Sequence, residues 1–172
     1  MNKIIFMALG GAQEVGASCY FLKLGDFNCL LDCGCGRRGK FYFAPYFDAL
    51  LQTPFIENFR QISHVFISHA HLDHAAALPE FFALNDRATV YMTDMTWRIT
   101  QIQLGARLSV REQEKISRVS FMQKIPLKNL SVSFHQAGHI PGAMMTLFNF
   151  GGRNILYTGD YSTFPTQLVR SE

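Results

Sequence analysis

Ser68-His69-Ala70-His71-Leu72-Asp73-His74 places three imidazoles and one carboxylate in six consecutive positions, directly after the apolar run Val65-Phe66-Ile67. Imidazole nitrogen, at ~2.0–2.1 Å, and carboxylate oxygen, at a similar range, are donors that zinc accepts. Alternate residues of an extended chain point the same way, so His69 and His71 can hold one ion together. Asp73 and His74 follow where the chain enters a helix, and can turn toward a second ion beside the first. A lone His-x-His would be weak evidence; this denser set reads as a metal site. Of the six histidines in the chain, only His64, His135 and His139 lie outside the motif.

Several elements must hold that motif in place. Residues 4–9, 18–24 and 28–32 read as strands, the last two joined by the Gly25-Asp26 turn. A strand over 64–68 delivers the motif. A helix over 75–84 follows it, with Pro79 tolerable only in a first turn. Residues 48–59 suggest a short helix interrupted at Pro54, 89–92 a strand and 96–108 a helix. Ser109-x-x-Glu112 has the form of a capping box opening a helix over 109–116. Strands over 131–136, 143–150 and 154–158 follow, the last two turned at Gly151-Gly152. Strands and helices thus alternate loosely, giving an α/β or α+β sandwich.

At 172 residues, 48% hydrophobic and 17% charged, the chain fits one globular domain with a sizeable core. Its sixteen Phe suit a core or a subunit contact. A formal charge of +3 permits a polyanionic partner without requiring one. The four cysteines, Cys19, Cys29, Cys33 and Cys35, show no disulfide framework; reduced, buried thiols of a cytoplasmic protein are the expectation. Residues 4–9 run into Gly10-Gly11 without a cleavage site, so they read as a first strand, not a signal peptide. No apolar run approaches the ~18 residues of a membrane helix, and no membrane association is expected. Residues 37–47 mix Arg37, Arg38 and Lys40 with Phe41, Tyr42, Phe43, Tyr46 and Phe47. That stretch is either a stacking platform for single-stranded nucleic acid or, the simpler reading, a loop whose aromatics pin it to the core or a partner.

His69-Ala70-His71-Leu72-Asp73-His74 resembles the signature of the metallo-β-lactamase fold, whose remaining ligands arrive at the ends of later strands. Gln136-Ala137-Gly138-His139 is similar to the segment supplying the third ligand of the first ion. Leu156-Tyr157-Thr158-Gly159-Asp160-Tyr161-Ser162 is similar to the strand delivering the bridging carboxylate, Asp160. The resemblance implies an αββα sandwich with two zinc sites, manganese being the alternative metal. One ion takes His69, His71 and His139, the other takes Asp73 and His74, and Asp160 spans both. Residues 10–19, Leu30-Leu31-Asp32-Cys33-Gly34 and residues 137–143 resemble the narrower β-CASP branch, which includes ribonuclease J and the pre-mRNA 3′-end cleavage endonuclease. That implies a zinc phosphodiesterase, a ribonuclease acting on RNA, with DNA the alternative substrate.

Two departures from the family qualify this expectation. The second ion normally takes one more His from a late strand, and no His follows His139 here. His135 lies four residues, ~13 Å along a strand, from His139, and His64 is five from His69 on the opposite face, so neither substitutes. Metal two is therefore expected to bind weakly. The branch also interposes a substrate-clamping domain after the Asp160 strand, and only twelve residues follow Asp160 here. The expectation is one domain over 1–172 without the β-CASP domain or closing strands, its sandwich incomplete at the C-terminus. A sheet edge or apolar face would then be exposed, and a homo-oligomer or completing partner chain is expected to cover it.

The resemblance also assigns roles. Two ions ~3.5–4 Å apart activate a hydroxide for in-line attack on phosphorus, with Asp73 and His74 as catalytic residues and Asp73 orienting the nucleophile. Asp32 is either a carboxylate beside a ligating His or a turn cap. Gly138 and Gly159 let the backbone pass close to the metals. No substrate-binding residue is assigned. Two other readings stand: a small-molecule metallo-hydrolase for a thioester, lactone or phosphodiester, and a metal-binding but catalytically weak partner subunit or fragment.

Overall fold

The computed structural model describes residues 3–164 and 168–169. Strands β1 (Ile4–Gly10), β2 (Cys19–Leu24) and β3 (Phe27–Leu31) form an antiparallel meander. The expected tight turn joins β2 to β3, with Gly25 at φ +60°. A small hairpin of β4 (Gly36–Arg38) and β5 (Phe41–Phe43) then leaves the sheet. Strands β6 (His64–Phe66), β7 (Thr89–Thr93) and β8 (Ile116–Val119) return parallel to β3, giving a six-stranded sheet ordered β1-β2-β3-β6-β7-β8. Parallel neighbours require crossovers. These carry α1 (Asp48–Leu51), α2 (Leu72–Ala75), α3 (Leu78–Leu84), α4 (Asp94–Leu104) and α5 (Val110–Gln113). A second, antiparallel sheet follows: β9 (Lys124–Leu127), β10 (Leu130–Gln136), β11 (Met144–Phe150) and β12 (Arg153–Tyr157), ordered β12-β11-β10-β9.

Alternation along the strands sorts side chains into two cores. In β2, Cys19 and Phe21 face the helices, while Leu22 and Leu24 face the second sheet. In β3, Leu30 packs toward the helices, and Phe27, Cys29 and Leu31 pack toward the second sheet. All five β3 side chains are buried, as expected of a central strand covered on both faces. The second sheet meets the first with Leu130, Val132, Phe134, Met144, Phe148 and Phe150. The four cysteines are free and buried.

The layers run helix, sheet, sheet, which is the metallo-β-lactamase architecture as far as the described residues carry it. Among those residues the buried side chains of α1 to α4 pack on the first sheet, and no helix covers the outer face of the second. Leu156 stays 52% exposed on that outer face. Strand β12 is the edge of its sheet among the described residues.

Local structure departs from the sequence reading in five places. The simpler reading makes residues 37–47 a loop, whereas the chain there forms the β4–β5 hairpin. The helix over 48–59 ends at Leu51, where the Thr53 hydroxyl donates to the Leu50 carbonyl at 2.7 Å ahead of Pro54. The helix over 75–84 starts later, at Leu78 as α3, after the separate short helix α2. Pro79 lies in the first turn of α3, where its missing N–H costs nothing. The Ser109–Glu112 capping box forms, but its helix stops at Gln113 and Ile116 opens β8. Strands β8 and β9, four residues each, are too short to show a period, and Pro126 is tolerated because β9 is an edge.

Candidate metal centre

The motif sits beyond the carboxyl ends of the parallel strands β3 and β6, where open α/β sheets place their ligands. β6 ends at Phe66, residues 67–71 run on, and α2 begins at Leu72 with His71 in extended backbone at its cap. From the second sheet come two loops. One follows β10 and carries His139; the other follows β12 and carries Asp160.

The side chains converge. The donor atoms of His69, His71, His139 and Asp160 all lie within 4.8 Å of one another. His71 Nδ1 stands 3.0 Å from His69 Nε2 and 3.3 Å from His139 Nε2. A ring nitrogen has one hydrogen or one lone pair, so His71 Nδ1 can satisfy only one of those neighbours. Asp160 Oδ2 lies 3.6 Å from His139 Nε2 and 3.9 Å from His69 Nε2. Donors about 2.0–2.1 Å from a tetrahedral zinc stand roughly 3.3–3.4 Å from each other, inside the observed range. The donor set therefore fits a divalent cation.

The other oxygen of Asp160 faces elsewhere. Asp160 Oδ1 is 3.6 Å from His74 Nε2, which in turn is 3.8 Å from Asp73 Oδ2. Asp73, His74 and Asp160 thus make a second, looser set sharing one carboxylate with the first. His64 and His135 stand apart from both. His64 stacks on Phe27 and Tyr91, and His135 pairs with the Ser133 hydroxyl at 3.0 Å.

Behind the ligands, Asp32 is fully buried at φ +59°, a left-handed conformation that Asp tolerates better than most residues. Its carboxylate accepts from Ser68 N–H at 2.6 Å, Ser68 Oγ at 2.8 Å, His74 Nδ1 at 2.7 Å and Tyr157 Oη at 2.5 Å. A carboxylate only accepts, so His74 carries its hydrogen on Nδ1 and presents Nε2 to the site. The single Ser68 hydroxyl hydrogen goes to Asp32. Ser68 Oγ, 2.9 Å from His69 Nδ1, must then accept from that ring, which leaves His69 Nε2 as a lone pair facing the cluster. Of the two expectations for Asp32, the carboxylate beside a histidine is the one observed.

Electrostatics follow from this packing. Burial, then the neighbouring His74, pushes the His69 imidazole down to about 3, so it is neutral at physiological pH. Burial also lowers His139, against the pull of Asp160. For His74 burial acts downward, but the hydrogen bond and charge of Asp32 outweigh it and the net shift is upward. Burial first, then Asp32, raises the Tyr157 hydroxyl well above its ordinary value, so it remains a donor.

The loops are fixed by close approaches. A Cβ on Gly159, which has φ +52°, would fall 2.4 Å from Ser68 Cβ, and one on Gly138, at φ +72°, would fall 2.5 Å from the Ser162 carbonyl oxygen. Residues 137–143 form a loop closed by Ala137 N–H to the Ala143 carbonyl at 3.0 Å. Its Gly142 carbonyl accepts from the hydroxyls of Thr93, at 2.8 Å, and Thr96, at 3.0 Å. Thr93 also caps α4, taking the Thr96 N–H at 3.1 Å.

Sequence reasoning gave no role to Ser68, Tyr157 or Thr93. Tyr157 had one usable signal: it shares the inward face of β12 with Ile155, an odd place for a hydroxyl without a partner.

Comparison with known proteins places these features in context. A family described as "Beta-lactamase superfamily domain" matches residues 28–171. Among curated proteins the chain is 34% identical to a probable RNase of Methanocaldococcus jannaschii, over 98% of this chain and 41% of that protein. It is 32% identical to cleavage and polyadenylation specificity factor subunit 3 of Dictyostelium discoideum, over 90% of this chain and 22% of that protein. It is 31% identical to a ribonuclease of Thermus thermophilus, over 88% of this chain and 36% of that protein. The chain thus spans well under half the length of these relatives, and the resemblance to the β-CASP branch is borne out over that span. Among solved structures, a protein of unknown function from Enterococcus faecalis superimposes with a TM-score of 0.69 at 17% identity, over 92% of this chain and 44% of that one. The metallo-beta-lactamase fold protein YhfI of Bacillus subtilis gives 0.62 at 19% identity, over 91% of this chain and 62% of that one.

Proposed function

Because the chain belongs to the beta-lactamase superfamily, we propose that it is the catalytic portion of a metal-dependent phosphodiesterase that cleaves RNA. One observation carries the reading: the two oxygens of Asp160 face two different donor sets, His69/His71/His139 and His74/Asp73. Bound ions in such a paired site supply Lewis acidity, neutralising phosphoryl charge and lowering the pKa of a water toward 7. The protein's own part is positional. Ser68 and Asp32 fix the hydrogens of His69 and His74 on Nδ1, so both Nε2 atoms are ready as ligands. Asp73 Oδ2, 3.8 Å from His74 Nε2 in the looser set, would accept a hydrogen from the attacking water and orient it. The nitrogen-rich first set favours zinc over manganese. The buried free thiols suit a reducing, cytoplasmic compartment, and no helix among the described residues is long and apolar enough to cross a membrane.

The second set supports a further part of the reading. It has three identified donors among the described residues, with His74 Nε2 3.6 Å from Asp160 and 3.8 Å from Asp73, so the second equivalent of metal binds more weakly than the first. Elemental analysis after extensive dialysis should find one retained equivalent; two full equivalents would refute the weak second site. Among the described residues β12 is an open sheet edge, which supports pairing with a second copy or a partner chain. A clean monomer by light scattering at high concentration would argue against self-association.

The substrate class is tested on a panel of RNA, DNA and thioester with added zinc or manganese. RNA cleavage that exceeds the other two is expected. Thioester hydrolysis outpacing RNA cleavage would replace this reading with a small-molecule hydrolase.

A further inference from the structure

The β4–β5 hairpin holds the whole formal charge excess of the chain. No Asp or Glu occurs in residues 33–47, while Arg37, Arg38 and Lys40 do; the remaining thirteen bases and thirteen acids cancel. Its aromatics are also unusual. The reading that they pin a loop to the core holds for Phe47, which is 6% exposed, but Phe41 is 80%, Tyr42 57% and Tyr46 54% exposed. Exposed rings grouped on one element require an explanation that a scattered one would not.

The hairpin orders these groups. Register sets Arg37 opposite Tyr42 and Arg38 opposite Phe41. The Arg37 guanidinium stands 5.9 Å over the Tyr42 ring and that of Arg38 stands 5.0 Å over Phe43. No ion pair among the described residues engages Arg37, Arg38 or Lys40, whereas Arg98, Arg107, Arg111 and Arg118 each meet a carboxylate. Behind Tyr42 opens a cleft of about 220 Å³, walled also by Leu72, Ala76 and Leu104.

Its root is joined to the metal centre. Cys35 N–H donates to the Leu72 carbonyl at 3.0 Å, and Gly36 bridges Gly16. At about 3.3 Å per residue, Arg38 lies within roughly 10 Å along the strand of that contact with the metal-binding loop. Cations without a carboxylate partner, exposed rings and a cleft thus stand one or two nucleotides from the ligands.

We propose that this hairpin is a docking platform for single-stranded RNA, a role that rests on the RNA reading above. Phe41 and Tyr42 stack bases, the Tyr42 cleft receives one of them, and Arg37, Arg38 and Lys40 meet the phosphates. Stacking suits single strands because their bases are free to splay onto a ring, while a duplex keeps them paired.

Fluorescence anisotropy with a labelled 12-nucleotide RNA, in EDTA to prevent cleavage, tests this, with duplex RNA alongside. The wild-type chain should prefer the single strand. Phe41→Ala and Tyr42→Ala should each weaken binding about tenfold. The pair R37A/R38A should weaken it further and reduce the salt slope by roughly 1.4, about 0.7 per lost phosphate contact. Arg153→Ala, an exposed cation on β12, should leave affinity unchanged, and circular dichroism should show every variant folded. Equal binding by wild type and hairpin variants, no binding by wild type, or a preference for duplex would each overturn the platform; the first two would leave the rings to a protein partner. Hydrolysis of a small aryl phosphodiester by the metal-loaded wild-type chain is read separately. Its absence with hairpin-dependent RNA binding intact would sink the catalytic reading and spare the platform.

Discussion

At the metal centre two of the histidines are set by side chains behind them. Asp32 fixes His74, Ser68 fixes His69 while donating to Asp32, and Tyr157 reaches Asp32 from the other sheet. In the neighbouring hairpin the rings and guanidiniums touch chiefly one another and lie open to solvent. His69, His74 and the Asp32 and Ser68 side chains behind them are buried, while His71 and Asp160 face solvent. The geometry of the two buried histidines therefore exists before any ligand arrives and needs little reorganisation. The hairpin is exposed and adaptable, suited to a flexible partner whose bases must be caught in several poses. Damage should accordingly spread from the first region and stay local in the second.

The sharpest test of that contrast is Asp160→Ala, which deletes the carboxylate shared by both donor sets. Metal affinity should fall by more than about 100-fold, exceeding the 10–100-fold typical of outer partners, and calorimetric titration measures it. One full-affinity equivalent surviving would show that the two sets do not depend on a common residue.

Next comes Asp32→Ala. Asp32 is not itself a donor of the first set, yet its loss strips His74, Ser68 and Tyr157 of their acceptor. A loss of about 10–100-fold in metal affinity is expected, with roughly 3–5 kcal/mol of stability lost in the metal-free chain. Denaturant melts with unchanged midpoint would mean that the buried carboxylate is not structural.

A smaller effect should appear with pH at His64, which lies outside both regions. Burial, then Lys128, lowers its imidazole to about 4 from the usual 6.5. The unfolded chain therefore binds the proton first, and stability is full above 6.5 and declines as pH falls from 6.5 to 4. His64→Phe should flatten part of that decline in urea titrations. A slope identical to wild type would assign the acid sensitivity elsewhere.

Smallest of all, Phe41→Ser or Arg38→Ala in the hairpin should change stability by less than about 0.5 kcal/mol. A drop of several degrees in melting temperature would show the hairpin to be structural after all, and would erase the contrast.

The two regions were unequally legible in sequence. His69, His71, Asp73 and His74 announce themselves because one strand end and one helix start suffice to bring them together. His139 and Asp160 needed only glycine-containing loops at strand ends, which a resemblance could supply. The support beneath them was half legible: Asp32 could be read as a carboxylate beside a histidine, but its partner Tyr157 is 125 residues away and meets it only when the sheets pack. The hairpin was ambiguous for another reason. Its strands are three residues long, so alternation could not say which rings face inward, and only Phe47 proved to be core. Strands β8 and β9 were missed on the same ground. In residues 48–59 the break was legible from Pro54, but not that the helix would end at Leu51 with Thr53 closing it.

The bond from Thr93 to the Gly142 carbonyl makes the helix cap and the His139 loop a single mechanical part. In a saturation screen scored by activity, Thr93→Val should therefore fall among the ligand substitutions although it contacts no ligand. Anyone mapping tolerance onto this fold by distance from the metal would misfile it, because what is inherited along that path is a loop's posture rather than a donor atom.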